Sequence, residues 1–217
     1  MLELIRIRIS LNENVVDGRP IEITIAALSQ LVKEGKFDHI GLSEVSANTI
    51  RRAYKVHPVA TVELEHSIWY SEARSNGVLA TCKELGIAVI AYSPLGRGIL
   101  AGKWKTLDDV PEILKARQPR YSPENFENNR KIVDVIDEVA KKRGATTAQV
   151  AIKWVLDEDE HVIPIPGATR VERVEENMGA ANVELTKEDF QEIEQAREKL
   201  EVIGDRYGGP QEKLLWA

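Results

Sequence analysis

VIAYSPLGRG (Val89–Gly98) runs from a β-branched apolar strand straight into a loop of Ser93, Pro94, Gly96 and Gly98, and VIPIPGATRVERVEEN (Val162–Asn177) repeats the pattern further along. Gly-bearing junctions after strands leave backbone N–H groups accessible, and Arg97, Arg170 and Arg173 add positive charge. Two such junctions suggest one site, a cradle for a phosphorylated ligand rather than an apolar one.

Outward from these junctions the chain alternates. Leu4–Leu11 has the period-2 pattern of an edge strand, and Asn12–Arg19 reads as a polar loop. Pro20 opens a helix that carries Ile21, Ile25, Leu28 and Val32 and ends at Gly35. Strand Asp38–Leu42 leads through Ser43–Ser46, with Ser46 as N-cap, into a helix that stops before Pro58. Strand Val59–Leu64, loop Glu65–Asn76, helix Gly77–Leu85 and strand Ile87–Ala91 repeat the cycle. Lys103–Glu124 carries Pro111, Pro119 and Pro123 with no clear period and reads as a long surface excursion, a lid or binding loop. Helices over about Pro123–Lys142 and Thr147–Leu156, strand His161–Pro164, helix Val171–Gly179 and a last helix opened by Thr186 complete the order. The tail from Gly204 to Ala217 has no period.

Five short apolar strands alternating with helices predict βαβ units and a parallel sheet. A doubly wound sheet needs a Gly-rich turn after its first strand, and Ser10–Gly18 has no G-x-G-x-x-G. A (β/α)8 TIM barrel accounts better for polar residues after every strand, because its site lies on the loops at the strand C-termini. Five units do not close such a barrel, so the expected fold class is α/β, an incomplete (β/α)8 TIM barrel comprising about strands 4 to 8 with their helices.

Composition narrows the partners. The 217 residues are 43% hydrophobic and 6% aromatic, in the range of an α/β protein with a sizeable core. A net charge of −6 and no long basic run argue against nucleic acid. The start MLELIRIRISL is too short and too charged for a signal peptide, no segment reads as a membrane span, and the expected location is cytoplasmic. The single Cys82, in LATCKELG, reads as a buried apolar residue rather than a reactive thiol, and no His, Cys or Asp cluster has metal-ligand spacing.

At GLSEVSANTIRRA (Gly41–Ala53), AYSPLGRGILAGK (Ala91–Lys103) and IPIPGATRVERVEEN (Ile163–Asn177) the chain resembles the aldo-keto reductase family, over about Pro20 to Tyr207. RYSPENF (Arg120–Phe126) and GDRY (Gly204–Tyr207) look most like its fungal and plant branch that includes pyridoxal reductases. The resemblance implies one partial aldo-keto reductase domain over residues 1–217, with a C-terminal tail at 204–217, and NADPH, preferred over NAD, across the C-terminal face of the sheet. Tyr92 stands where the family stacks a ring on the nicotinamide, and Ser43 with Glu63 where it holds the carboxamide, Glu63 replacing the glutamine of many relatives. Ser93, Leu95, Gly96, Arg97 and Gly98 would follow the pyrophosphate. Gly167, Thr169, Arg170 and Arg173 would face the 2′-phosphate, and Glu176 and Asn177 the adenine.

The family reduces aldehydes and ketones with an Asp, Tyr, Lys and His tetrad. The resemblance places the start of this chain at the fourth strand, so the first three have no counterpart here, the fourth-strand His is absent, and no catalytic residue is assigned. The expected function is the cofactor-binding half of an NADPH-dependent carbonyl reductase, weakly active or inactive by itself. Two other readings stay open: a non-catalytic NADP(H)-binding or interaction protein, and a truncated gene model of a full-length reductase. Read without the resemblance, Tyr92 is a half-buried core aromatic, Ser93–Gly98 a structural turn, and Arg170 and Arg173 a solvated helix face paired with Glu172, Glu175 and Glu176. His66 and Trp69 read equally as substrate-side residues or as a packed loop. Exposed sheet edges at Leu4–Leu11 and His161–Ile165 predict self-association.

Overall fold

A computed structural model describes residues 4–7, 15–16, 19–207 and 215–216. A parallel sheet in the order β1 (Leu4–Ile7), β4 (His39–Ser43), β5 (Val59–Glu65), β6 (Ala88–Tyr92) and β7 (Val162–Ile165) forms its centre. β2 (Val15–Val16) and β3 (Arg19–Pro20) form a separate antiparallel pair. Helices α1 (Ile21–Lys33), α2 (Ala47–Val56), α3 (Glu72–Ser75), α4 (Val78–Leu85), α5 (Glu112–Arg117), α6 (Pro123–Arg143), α7 (Thr147–Leu156), α8 (Val171–Gly179) and α9 (Lys187–Lys199) connect and follow the strands. Consecutive parallel neighbours linked through helices make this a partial (β/α)8 barrel.

The core lies between sheet and helices. Ile40, Leu42, Val62, Leu64, Val89 and Ala91 from the strands and Ile25, Ile50, Val78, Ile136 and Trp154 from the helices are buried in one cluster. Each fully buried Val, Leu or Ile contributes roughly 1.5–3 kcal/mol, so sheet and helices stabilise each other rather than standing alone. Sequence-encoded stops fix the lengths. Ser46 Oγ accepts from the Thr49 N–H at 3.2 Å, Thr146 and Thr186 form capping boxes with Gln149 and Asp189, and Gly86 ends α4 at φ 66.

Three expectations change. Asn12–Arg19 is not wholly a loop, since Val15–Val16 pairs with Arg19–Pro20. β-branched valines ahead of an Asp-Gly dipeptide are the sequence signal for that hairpin. In the opening strand Leu4–Ile7 pairs as expected, while Arg8–Leu11 lie outside the described residues. Glu65–Asn76 contains a bridge between Ser67 and Tyr70 and the one-turn α3. Lys103–Glu124 runs over the surface for about half its residues, but it is folded rather than irregular: a capping box at Thr106, helix α5, a turn at Pro119–Tyr121, and Val110 and Tyr121 buried. Its helical stretch is too short to show a period, and its burial depends on partners distant in sequence.

Candidate functional site

The two Gly-bearing junctions meet. Leu95 and Gly98 after β6, Gly167, Thr169 and Arg170 between β7 and α8, and Arg173 and Asn177 on α8 line one cleft of about 270 Å³ together with Lys103 and Trp104. Lys103, Arg170 and Arg173 are its charged residues. α8 starts at Val171 with Arg170 as an extended N-cap and no side chain capping it, which leaves first-turn N–H groups as anion donors. Arg173 forms an ion pair with Glu176 one turn on, so Glu176 sits beside the cleft and orients one of its cations. A Cβ on Gly98 would lie 3.1 Å from the Trp104 ring, and φ 118 there favours glycine. Cationic side chains and helix N–H groups together are a donor set suited to an anionic ligand.

Ser43, Glu63, Tyr92, Ser93, Gly96 and Arg97 are not among the residues that line this cleft. Ser43 and Glu63 pair across β4 and β5, and Tyr92 ends β6 opposite Glu65 on one side and Ile165 on the other. Ser93 and Gly96 stand at positive φ, 50 and 51, and the Gly96 carbonyl accepts from the Tyr121 hydroxyl at 2.9 Å. Arg97 is absent from the cleft lining. Its guanidinium donates to the Tyr207 hydroxyl at 3.1 Å, lies 3.5 Å from Glu65 Oε2 and sits 5.4 Å from the Tyr207 ring centroid.

Sequence reasoning missed a buried ionic cluster at the C-terminal ends of β4, β5 and β6. Glu44 takes φ 55, and its Oε1 accepts from the Glu65 N–H at 2.9 Å and from the Tyr92 hydroxyl at 2.6 Å. Arg206, from the tail, donates to Glu44 Oε2 at 2.8 Å, Glu44 Oε1 at 2.7 Å and Glu65 Oε2 at 2.6 Å, and also to the Tyr92 hydroxyl. Its side chain is 1% exposed, and its guanidinium lies over the Tyr70, Tyr92 and Tyr207 rings. Burial works against its charge, but its hydrogen bonds to Glu44 and the charges of Glu65 and Glu44 more than offset this and hold it protonated. Burial and the Glu44 charge hold the Tyr92 hydroxyl above the ordinary tyrosine value of 10. Burial does the same to Tyr70. The available signal was a carboxylate closing an apolar strand, Glu65, and the arginine of GDRY; nothing local joins them across 141 residues of sequence separation.

His66 and Trp69 belong to the packed loop. His66 is fully buried, stacks on Trp154 and lies 3.1 Å from Glu158, while Trp69 donates to the Asn129 carbonyl at 3.1 Å. Among the described residues no group of three or more His, Cys, Asp or Glu is placed to hold a metal. None of their helices is long and apolar enough to cross a membrane.

A model described as "Aldo/keto reductase family" matches residues 10–198. The chain belongs to that family. It is 43% identical over 199 residues to "Probable aldo-keto reductase 1" of Glycine max, covering 91% of this chain and 57% of that protein. It is 40% identical over 190 residues to "Aldo-keto reductase str7" of Strobilurus tenacellus, covering 86% and 56%. The chain therefore spans a little over half the length of these curated relatives. Among solved structures it resembles the glycerol dehydrogenase of Gluconobacter oxydans, with TM-score 0.82, 25% identity and 93% and 60% of the two chains covered. A thermostable aldo-keto reductase crystallised with the inhibitor epalrestat shares the fold, with TM-score 0.67, 24% identity and 89% and 59% covered.

Proposed function

We propose that this chain carries the cofactor-binding part of an NADPH-dependent aldehyde or ketone reductase, with pyridoxal as a candidate substrate. The observation that carries this reading is the single cationic cleft built from the β6 and β7 junctions and the uncapped start of α8. In it Arg170 and Arg173 would meet the 2′-phosphate that distinguishes NADPH from NADH. Gly98 and the neighbouring loop would follow the pyrophosphate, and Tyr92 would flank the nicotinamide. The bound cofactor supplies hydride. The residues of this chain bind and orient it, and the isolated chain turns carbonyl compounds over poorly or not at all. Support for that last point comes from the tyrosines of this face. A tyrosine that donates a proton near neutral pH needs its pKa lowered, typically by a neighbouring lysine, whereas burial holds Tyr70 and Tyr92 above their ordinary range. A cytoplasmic location accords with the single, buried Cys82.

Calorimetric titration with NADPH and NADH tests the reading. NADPH binds with saturation and more tightly, and Arg173→Ala weakens it by about 10- to 100-fold, the loss of one charge-assisted phosphate contact worth roughly 1.5–3 kcal/mol, while NADH binding changes little. Equal affinity for the two cofactors in the unmodified chain rejects the 2′-phosphate assignment. NADPH oxidation with pyridoxal or a nitrobenzaldehyde at ordinary enzyme rates rejects the weak-activity assignment.

A further inference from the structure

We propose that Gly204–Tyr207 is a clasp over the C-terminal end of the sheet, latched by Arg97, and that a phosphorylated ligand in the neighbouring cleft loosens it by drawing Arg97 away. This inference rests on the cleft reading above. Arg206 is the bolt, its guanidinium held by Glu44 and Glu65 and its burial nearly complete. Asn129 fastens the approach to it, donating to the Ile203 carbonyl at 2.8 Å and accepting from the Ile203 N–H at 2.8 Å, and Arg120 donates to the Gly204 carbonyl at 3.0 Å. Gly204 has no room for a side chain, since a Cβ would lie 2.9 Å from the Pro119 carbonyl carbon, and its φ is 101.

Arg97 ties this clasp to the ligand loop. It stands between Leu95 and Gly98, both of which line the cleft, yet its side chain leaves the cleft for Tyr207 and Glu65. Its backbone adopts φ 59, a region costly for a residue with a Cβ, which persists only where surrounding contacts hold it. The charged oxygens of a phosphate group bind a guanidinium more strongly than a neutral phenol hydroxyl and a carboxylate no nearer than 3.5 Å do, because a close charge-assisted bond is the stronger one. One guanidinium cannot keep its present contact with Tyr207 and turn to the cleft at the same time. Ligand and clasp therefore compete for Arg97, and by linkage each weakens the other by the same factor.

The bond after Arg206 reports the clasp directly, because trypsin cleaves there only when the buried guanidinium is released. The experiment follows native-state tryptic cleavage at Arg206–Tyr207 by mass spectrometry, with and without saturating 2′-phospho-ADP-ribose, while calorimetry measures binding on the same preparation. Loss of one hydrogen bond corresponds to about a three- to fivefold change in the opening equilibrium, so ligand accelerates cleavage by that factor. Reciprocally, Tyr207→Phe, which keeps the ring and removes the hydroxyl, binds the ligand about three- to fivefold more tightly, and its cleavage rate no longer responds to ligand. Saturable binding with unchanged or slower cleavage overturns the latch and leaves the cleft reading intact. No saturable binding overturns the cleft reading and the latch with it. If Tyr207→Phe unfolds, Arg97→Gln provides the second variant, whose cleavage is fast with or without ligand, and ligand-dependent cleavage in it contradicts the proposal.

Discussion

Arg206 shows most clearly what a single residue does here. It neutralises two buried carboxylates at once, and Arg206→Met strips Glu44 of its counter-charge and leaves Glu65 with Arg97 at 3.5 Å. Breaking a buried pair by removing one partner costs about 3–5 kcal/mol, which urea unfolding of the variant checks; a loss below about 1 kcal/mol contradicts the buried cluster. Cys82 behaves in the opposite way. Burial pushes its thiol up to about 12, so it stays unlabelled by a maleimide at neutral pH until the chain unfolds, and rapid native labelling rejects that placement. Cys82 and the Ser46 cap were legible because their signals are local, an apolar flank and a cap followed by helical spacing. The cluster was not, because Glu44, Glu65 and Arg206 owe their role to three separated loops meeting.

Elements were legible wherever pattern and punctuation agree. β4, β5, β6 and β7 are short apolar runs, and α4 lies between Gly77 and Gly86, so their positions follow from residue type. The six-residue α5 and one-turn α3 escape notice because so short a helix shows no period and depends on packing for its stability. The α3–α7 contact also makes a pH prediction. Glu158 follows α7 and meets Arg74 of α3 and His66. Burial raises its pKa, but the His66 hydrogen bond and the Arg74 charge outweigh this and hold it below the ordinary 4.5. A folded-state value below the unfolded one means the stabilisation is present above about pH 4.5 and is lost as the pH falls through the lowered value. Glu158→Gln is therefore less stable than the parent at pH 7, and the gap narrows below pH 4.5; a gap that stays constant across an acid series contradicts the assignment.

Over the whole molecule, β1 and β7 terminate the sheet, and apolar side chains collect at the β7 end. Ile163, Ile165, Val171, Val174 and Met178 are exposed, Val171 and Met178 by about 70%. A strand edge beside an apolar helix face favours association, so we propose that the chain self-associates, and sedimentation velocity shows a concentration-dependent species larger than 24.3 kDa. A single monomeric boundary at all concentrations contradicts this. The partial barrel and the meeting of its two Gly-bearing junctions were foreseeable because parallel β/α order places every strand C-terminus on one face. The route of Arg97 and the tail across that face was not, since it is set by contacts and not by period. The central claim is a berth for a phosphorylated dinucleotide, and its most direct test is the urea midpoint measured across a series of NADPH concentrations. A ligand that binds only the folded chain raises the midpoint steadily with the logarithm of its concentration, and Arg173→Ala shifts that rise to higher NADPH. A midpoint unmoved at millimolar NADPH contradicts the account.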